Sequence, residues 1–325
     1  MTPILEVNNL SVSFKTEFGF VKAVDNVSFK VNAGEIIGLV GESGSGKSVS
    51  SFSIMRLLPK QNSRIDSGEI MFEGKDLLKM SPSEMTKIRG KEISMIFQEP
   101  MTSLNPVYTI GNQIGEVFKN HTDYDKKTIN TKSLELLNRV GIPRANEILK
   151  SYPHQLSGGM RQRVIIAIAI ALKPKILIAD EPTTALDVTI QAQILQLIRQ
   201  LAKEDEMSVI FISHNLGVIN QICKNIMVMY SSQIVESADT LSLYKNPLHP
   251  YTKCLLKCIP QIGMSGKKLN FIEGTVPHPS ERIIGCRFAR RCKDVIQVCL
   301  EKEPELLEVG NHHLCKCWRE NKNVS

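Results

Sequence analysis

The clearest chemical pattern lies in the glycine-rich segment 41–48, Gly-Glu-Ser-Gly-Ser-Gly-Lys-Ser. It follows the apolar run 35–40 and precedes residues 49–58, an arrangement typical of a loop between a strand and a helix. Its glycines allow the backbone to approach phosphates, and the helix N-terminus presents N–H groups to them. Lys47 adds a positive charge, and Ser48 offers a hydroxyl to Mg²⁺. The spacing therefore predicts a nucleotide phosphate site rather than a simple turn.

Two adjacent carboxylates form a second candidate site. Asp180 and Glu181 follow the apolar run 175–179 and precede Pro182. Phosphoryl transfer needs mainly positioning and charge neutralisation, which a carboxylate, a cation and a lysine can supply. We expect Asp180 to hold Mg²⁺ and Glu181 to polarise the attacking water. The alternative is an acidic cap at the end of a strand.

Gln98 and His214 also stand just after predicted strands, 93–97 and 208–212. The carboxamide of Gln98 can contact both metal and water, and the imidazole of His214 can donate to a γ-phosphate. Each residue alone is more often ordinary polar surface or a structural histidine. Their value comes from position, because ligands of open α/β sheets bind at the carboxyl ends of strands.

A second glycine-rich helix start, Leu-Ser-Gly-Gly-Met at 156–160, is another predicted anion site. The chain already has one phosphate loop. A second phosphate-binding helix end is useful if it serves the nucleotide of another subunit. The alternative is a glycine-rich N-cap with no ligand.

These segments are connected by strands that alternate with helices, which predicts an α/β fold with a largely parallel core sheet. Residues 1–40 read as antiparallel strands with a turn near residues 17–19. Residues 110–151 have helical periodicity and are predicted to form an inserted helical subdomain, at about 108–158. We expect one nucleotide-binding domain over 1–260 and a small cysteine-rich extension over 261–325.

Composition limits the partners. The chain has 325 residues and a net charge of +7, but its basic residues are scattered and form no long run. A nucleic-acid surface is therefore not expected. The chain opens with a strand-like pattern instead of a signal peptide, and no apolar run approaches the ~18 residues that span a bilayer. A membrane role is expected to need a partner.

The order of these motifs resembles the nucleotide-binding subunit of an ATP-binding cassette (ABC) transporter. The resemblance adds an aspartate loop at 185–187 and assigns Gln98 to the glutamine loop, 156–160 to the signature and His214 to the switch. It implies that two subunits bind two ATP molecules head to tail, with Glu181 as general base. The implied catalytic residues are Lys47, Gln98, Glu181 and His214, with Mg²⁺ held by Ser48, Gln98 and Asp180. The implied ATP-binding residues are Phe14, Gly41, Ser43, Gly44, Ser45, Gly46, Lys47, Ser48, Val49, Gln98, Ser157, Gly158, Gly159, Asp180 and Asp187.

Longer segments, 98–106, 180–193 and 247–252, resemble the oligopeptide/dipeptide importer branch and its "D" ATPase. This implies a second, "F"-type ATPase, two membrane permeases and an extracytoplasmic peptide-binding protein, with the chain on the cytoplasmic face of the membrane. Relatives carry nickel and other solutes, so the same machine with another small solute is the first alternative. A soluble ABC ATPase outside transport is a second alternative.

Five cysteines crowd into residues 286–317. In a reducing compartment such a cluster suggests metal before disulfides. The importer branch has this pattern with a [4Fe–4S] cluster, which implies Cys286, Cys292, Cys299 and Cys317 as ligands, with Cys315 as the rival for the last place. Arg287, Arg290, Arg291 and Lys293 lie near in sequence and could balance the cluster's negative charge. The alternative is a set of buried free thiols.

Overall fold

The computed structural model describes residues 2–17, 19–98, 103–184, 186–259, 271–281, 283–310 and 312–320. Its strands are β1 (Leu5–Thr16), β2 (Gly19–Val31), β3 (Ile36–Val40), β4 (Ser63–Phe72), β5 (Lys75–Asp76), β6 (Ile93–Ile96), β7 (Ile176–Asp180), β8 (Ser208–Ser213), β9 (Asn225–Tyr230), β10 (Gln233–Asp239), β11 (Leu307–Gly310) and β12 (His313–Cys315). Its α-helices are α1 (Lys47–Ile54), α2 (Pro82–Ile88), α3 (Ile110–His121), α4 (Lys126–Arg139), α5 (Ala145–Ile148), α6 (Gly158–Ile170), α7 (Val188–Glu204), α8 (Leu216–Ile222), α9 (Thr240–Lys245), α10 (Pro250–Lys257) and α11 (Gln297–Glu301).

The described residues divide into two compact units. The first unit combines 1–31, 36–78 and 212–325, and the second combines 32–35 and 79–211. The first unit therefore contains the phosphate loop, the switch histidine and the cysteine-rich extension. The second contains the inserted helices, the glutamine loop, the signature and the two carboxylates.

An antiparallel sheet with the strand order β2-β1-β4-β5 forms the N-terminal part of the first unit. Thr16 pairs with Gly19, so β1 and β2 join in the tight hairpin that the sequence predicts near residue 18. Leu5 and Val7 are fully buried and alternate with the half-buried Glu6 and Asn8, as expected along a half-buried strand. The predicted antiparallel N-terminal subdomain is confirmed.

The rest of the first unit is built on strands in the order β11-β12-β10-β9-β3. β3 and β9 run parallel, and Val40 pairs with Val228 beside the start of the phosphate loop. β12 comes from the cysteine-rich extension and pairs with β10, where Cys315 lies opposite Glu236. The extension is therefore part of this sheet. The domain boundary at 260/261 stays a prediction.

In the second unit, β7 lies between β6 and β8, and β6 and β7 run parallel with Ile96 opposite Ala179. All residues of β6 and β7 are buried, as expected for parallel strands covered on both faces. The N-cap residues of the inserted helices α3 and α4 are Thr109 and Asp125, whose side chains accept hydrogen bonds from backbone N–H groups. No helix in the described part of the chain is long and apolar enough to cross a membrane.

Two element boundaries differ from the sequence prediction. The helix after the phosphate loop ends at Ile54 instead of residue 58, because Arg56 takes a left-handed conformation with φ of 50°. The sequence 68–73, Gly-Glu-Ile-Met-Phe-Glu, predicts a short strand, but the strand there, β4, begins earlier, at Ser63, because it pairs with β1 along most of its length. Both differences come from backbone contacts that hydrophobic patterning does not show.

Candidate nucleotide site

The phosphate loop connects β3 to α1, as the sequence predicts. Gly46 is the N-cap of α1 with φ of 102°, and a Cβ there would lie 2.5 Å from the Ala23 carbonyl oxygen. A Cβ on Gly41 would lie 2.2 Å from the Met229 carbonyl oxygen. Neither position tolerates a side chain, so the two glycines let the loop fold tightly against β9 and β2.

Lys47 lies inside this loop and is only 6% exposed. Its Nζ donates to the carbonyl oxygens of Gly41 and Glu42, both at 2.8 Å, and lies 3.4 Å from Ser45 Oγ. The loop thus holds the ammonium group by its own backbone. Ser43 and Gly44 at the loop tip are exposed, and Ser48 and Val49 in the first turn of α1 are half-buried.

Two further predicted residues belong to the first unit. Phe14 is half-buried on β1, opposite Val21. His214 is exposed and follows β8, and the next residue, Asn215, caps α8 by accepting from the Gly217 N–H at 2.8 Å. The adenine contact of Phe14 and the switch role of His214 stay predictions.

The two carboxylates in the second unit differ in their surroundings. Asp180 is the last residue of β7 and is 1% exposed. Glu181 is half-buried and takes a left-handed conformation with φ of 49°. Its carboxylate accepts from Thr184 Oγ1 at 2.9 Å, and the Thr184 N–H donates to the Glu181 carbonyl at 3.2 Å. A glutamate with positive φ is uncommon and is held here by this short turn, which the sequence did not predict.

Gln98 is exposed and lies two residues beyond β6. Asp187 is exposed and caps α7, accepting from the Ile190 N–H at 2.9 Å. Both therefore lie just outside regular elements. Of the aspartate loop, Ala185 lies outside the described residues, as do residues 99–102 after Gln98.

The signature segment caps α6. The Ser157 hydroxyl accepts from the Met160 N–H at 3.3 Å, and Ser157 and Gly158 are exposed. A Cβ on Gly159 would lie 3.0 Å from a side-chain carbon of Ile190, so this glycine allows α6 to approach α7 closely. The exposed residues leave the helix end accessible for an anion.

The structure thus places the predicted site residues in two groups. The phosphate loop, Phe14 and His214 belong to the first unit, and Gln98, 157–159, 180–181 and Asp187 belong to the second. For the proposed Mg²⁺, Ser48 belongs to the first unit, whereas Gln98 and Asp180 belong to the second.

Sequence reasoning missed two residues that contact the phosphate loop. Arg291 makes a two-pronged ion pair with Glu42, with Nη1–Oε2 at 2.7 Å and Nη2–Oε1 at 3.1 Å. The Tyr251 hydroxyl accepts from the Glu42 N–H at 3.0 Å. Tyr251 stands in the segment 247–252, which resembles the importer branch but does not by itself indicate a contact with the loop. No local pattern indicates that either residue reaches residue 42.

The arginines near the cysteines have other partners than expected. The sequence suggested that they balance the charge of a cluster. Arg287 instead pairs with Asp25, Arg290 with Glu281 at 2.5 Å, and Arg291 with Glu42. Each guanidinium thus faces a carboxylate contributed by another part of the first unit, and a role in balancing the charge of a cluster stays a prediction.

Three of the other C-terminal cysteines contribute to the pKa of Cys286. Burial raises the pKa of Cys286 to about 11, with further contributions from Cys299, Cys317 and Cys292. Cys315 is also buried, and its pKa is raised first by burial, then by Glu236, opposite it on β10, and then by Cys317. No three or more cysteine, histidine, aspartate or glutamate side chains among the described residues are arranged to hold a metal ion.

Comparisons with known proteins agree with the geometry of both units. Residues 24–184 match the family described as ABC transporter, and residues 235–299 match the C-terminal region of oligopeptide/dipeptide transporters. The chain is 50% identical to the oligopeptide transport ATP-binding protein AppD of Bacillus subtilis (strain 168), over 98% of this chain and 97% of AppD. It is 47% identical to the dipeptide transport ATP-binding protein DppD of the same organism, over 100% and 97%. A dimeric ATP-binding cassette solved with ADP and phosphate matches with a TM-score of 0.65 and 28% identity, over 73% of this chain and 98% of that one.

Proposed function

This chain belongs to the oligopeptide/dipeptide branch of the ABC transporter family and is the ATPase subunit of a peptide importer, and from that premise we propose which residues carry each step. The observation that carries the proposal is the phosphate loop, which encloses the buried Lys47. The loop leads into α1, and backbone N–H groups lie at the start of this helix. These groups bind the β- and γ-phosphates of ATP.

Glu181 polarises the attacking water in this proposal. Support comes from its left-handed backbone and its bond from Thr184, which together fix the carboxylate at the end of β7. Ser48, Gln98 and Asp180 are oxygen donors, which suit Mg²⁺. When bound, Mg²⁺ neutralises charge on the phosphates. His214 donates to the γ-phosphate, and Phe14 packs against adenine.

The exposed signature segment completes the ATP site of another cassette. This role is supported by the exposure of Ser157 and Gly158 to solvent, because the chain already has a phosphate loop of its own. We propose an "F"-type ATPase as that partner, in a head-to-tail heterodimer. Each ATP then lies between one subunit's phosphate loop and the other's signature, and Asp187 faces the same interface.

The remaining partners follow from the peptide branch. We propose two transmembrane permeases, an extracytoplasmic peptide-binding protein and a location on the cytoplasmic face of the membrane, held there by the permeases. ATP binding closes the pair of ATPases and hydrolysis opens it, and this motion drives the permeases.

Solute uptake tests the proposal and its first alternative. Cells whose only copy of this chain carries Lys47→Ala should fail to take up a labelled dipeptide and a labelled pentapeptide, while uptake of radioactive nickel stays normal. The control is Lys60→Ala, which removes an exposed lysine of the same unit. Loss of nickel uptake with normal peptide uptake would contradict peptide import.

We also propose that Cys286, Cys292, Cys299 and Cys317 hold a [4Fe–4S] cluster. Support comes from the contributions of Cys292, Cys299 and Cys317 to the raised pKa of Cys286, and from the hydrogen bond in which the Cys286 N–H donates to the Cys299 carbonyl at 2.8 Å. A four-iron cluster separates its thiolates more widely than a single ion does. Cys315 pairs into β12 opposite Glu236, whereas Cys317 contributes, with Cys292 and Cys299, to the raised pKa of Cys286, which favours Cys317 as the fourth ligand.

Metal analysis of protein purified without oxygen tests the cluster. The expected content is about four iron and four sulfide per chain, the stoichiometry of a [4Fe–4S] cluster. Cys317→Ser should lose iron, whereas Cys315→Ser should keep it. Zinc, or no metal in anaerobic protein, would contradict the cluster, and the opposite behaviour of the two variants would assign the fourth place to Cys315.

A further inference from the structure

Glu42, the second residue of the phosphate loop, is held at three points. Its carbonyl accepts from Lys47 Nζ at 2.8 Å, and its N–H donates to the Tyr251 hydroxyl at 3.0 Å. Its carboxylate accepts hydrogen bonds from both terminal nitrogens of Arg291. The first contact is internal to the loop, whereas the other two come from residues more than 200 positions away in sequence. The conformation of Glu42 is therefore set from outside the loop.

Arg291 itself is firmly fixed. Its side chain is 5% exposed. Its Nε donates to the Glu273 carbonyl at 3.1 Å and its Nη2 to the Ile272 carbonyl at 3.4 Å. A two-pronged guanidinium–carboxylate pair adds directional constraint as well as energy. Arg291 can thus orient Glu42, because its own orientation is set by the backbone of residues 272–273.

Three buried rings support both contacts to Glu42. Tyr230 and Tyr251 have ring centroids 4.6 Å apart, and Phe288 packs edge-on against Tyr230 at 5.2 Å. The Arg291 guanidinium lies 5.7 Å from the Tyr230 ring centroid. Phe288 and Arg291 both belong to the segment 286–292, which begins and ends at a cysteine, Cys286 and Cys292. The extension therefore packs directly against the support of the phosphate loop.

We propose that Arg291 and Tyr251 are positioning residues for ATP: they preorganise the phosphate loop through Glu42, so that the C-terminal extension is part of the nucleotide-binding framework. This inference rests on ATP binding by the loop and goes beyond the function proposed above, which gives the extension no part in that binding. A loop that is already ordered loses less conformational entropy when it binds phosphates. Without Arg291 the loop must be ordered by ATP itself.

The matched control is the adjacent arginine. Arg290 has a side chain that is 68% exposed and pairs with Glu281, away from the loop. Arg290→Ala and Arg291→Ala remove the same group from neighbouring positions of one turn. A general effect of charge or of the extension's surface should appear in both variants, and an effect on the loop only in the second.

The first experiment measures binding of radiolabelled ATP to the full-length chain. Arg291→Ala should weaken binding on the order of tenfold, the size expected when a binding group is mispositioned but kept. Arg290→Ala should bind like the wild type. Arg291→Lys should recover only part of the affinity, because an ammonium group cannot form the two-pronged pair. Equal affinity in Arg291→Ala and Arg290→Ala would overturn the proposal.

A second variant serves if Arg291→Ala does not fold. Tyr251→Phe keeps the ring packing and removes only the acceptor for the Glu42 N–H. It should weaken ATP binding about threefold, roughly the net value of one hydrogen bond. Unchanged affinity in both Tyr251→Phe and Arg291→Lys would equally contradict the proposal.

The third experiment uses the reciprocity of coupled binding. If the extension orders the loop, ATP bound to the loop must order the extension by the same free energy. Amide hydrogen exchange across 286–292 should slow when ATP is added to the wild type and to Arg290→Ala, and it should not respond in Arg291→Ala. A purely structural arginine would change exchange in the absence of ATP but leave the response to ATP intact, and that result would overturn the proposal.

Discussion

The chain has two glycine-rich segments at helix N-termini, and they are built in opposite ways. In the phosphate loop, Gly41, Ser45, Gly46 and Lys47 are buried, and the loop folds around the lysine. At the start of α6, Ser157 and Gly158 are exposed. The first segment surrounds a charge of its own, whereas the second presents an open helix end.

The glycines explain this difference. Gly44 and Gly46 have φ of 76° and 102°, which allows the loop to wrap around Lys47. Gly159 does not have a positive φ. A glycine is needed there because a Cβ would lie only 3.0 Å from a side-chain carbon of Ile190 on α7. The same residue type thus serves chain reversal at one site and close packing at the other. A wrapped loop can bind phosphates alone, but an exposed helix end suits a phosphate that another subunit brings. Four predictions test this contrast: three concern ATP binding and hydrolysis, in order of decreasing effect, and the fourth concerns stability.

Lys47→Ala tests whether the wrapped loop is the primary binding site. It should lower ATP hydrolysis on the order of a thousandfold and strongly weaken nucleotide binding, because it removes the charge set against the phosphates. ATPase assays of the purified complex and direct binding of ATP measure the two effects. Activity close to the wild type would mean that the buried lysine has only a structural role.

Glu181→Gln should separate binding from hydrolysis. It leaves both glycine-rich segments intact, so ATP binding should persist, while hydrolysis slows by at least about a hundredfold, a typical loss for a positioned base. The complex should remain closed with ATP bound, which gel filtration with labelled ATP can detect. A near-normal turnover would assign the positioning of water to another group.

Ser157→Arg tests the open helix end. The chain's own loop should still bind ATP, whereas the site completed on the partner should lose about tenfold in affinity, equivalent to one hydrogen bond to a charged group. His154→Arg, on the exposed turn before α6, is the control. Two mixed complexes show which site is damaged. In one, the variant pairs with a wild-type partner, and in the other it pairs with a partner that lacks the lysine of its own phosphate loop. A defect at the chain's own loop would contradict a shared site.

Acid should affect the support of the phosphate loop but not the signature. His249 caps α10, its Nδ1 accepting from the Tyr251 N–H at 3.1 Å. Burial lowers the pKa of His249 to about 4, although the Glu236 carboxylate opposes this and Lys253 and Lys316 add to it. Protonation therefore favours the unfolded chain, and stability should fall as pH drops from about 6.5 to about 4, by up to about 3 kcal/mol.

The variant His249→Asn isolates this effect. Asparagine keeps an acceptor for the helix cap and does not titrate. Denaturant unfolding at a series of pH values should show less loss of stability between pH 6.5 and 4 in the variant than in the wild type. Parallel curves for the two proteins would show that His249 does not govern acid sensitivity.

Local motifs allowed much of the site to be predicted. The sequence predicted the loop that contains Lys47, the helix start at 156–160 and the strand before Asp180, because all three depend on short-range geometry. The left-handed backbone of Glu181 could not be predicted, because it depends on how one turn closes on Thr184. Likewise, the sequence predicted a helix over residues 49–58, but α1 ends at Ile54 because Arg56 takes a left-handed conformation.

The sequence by itself determined the order of the nucleotide motifs, the α/β fold and the family, because each depends on spacing within a few residues of the chain. Only the tertiary structure decided what surrounds the loop. Residues 42, 251 and 291 meet because β3, β9 and β10 bring distant segments side by side and the extension adds β12 to their edge. Hydrogen bonds and ion pairs depend on distances in space, and for Glu42 the decisive partner is 249 residues away in the chain.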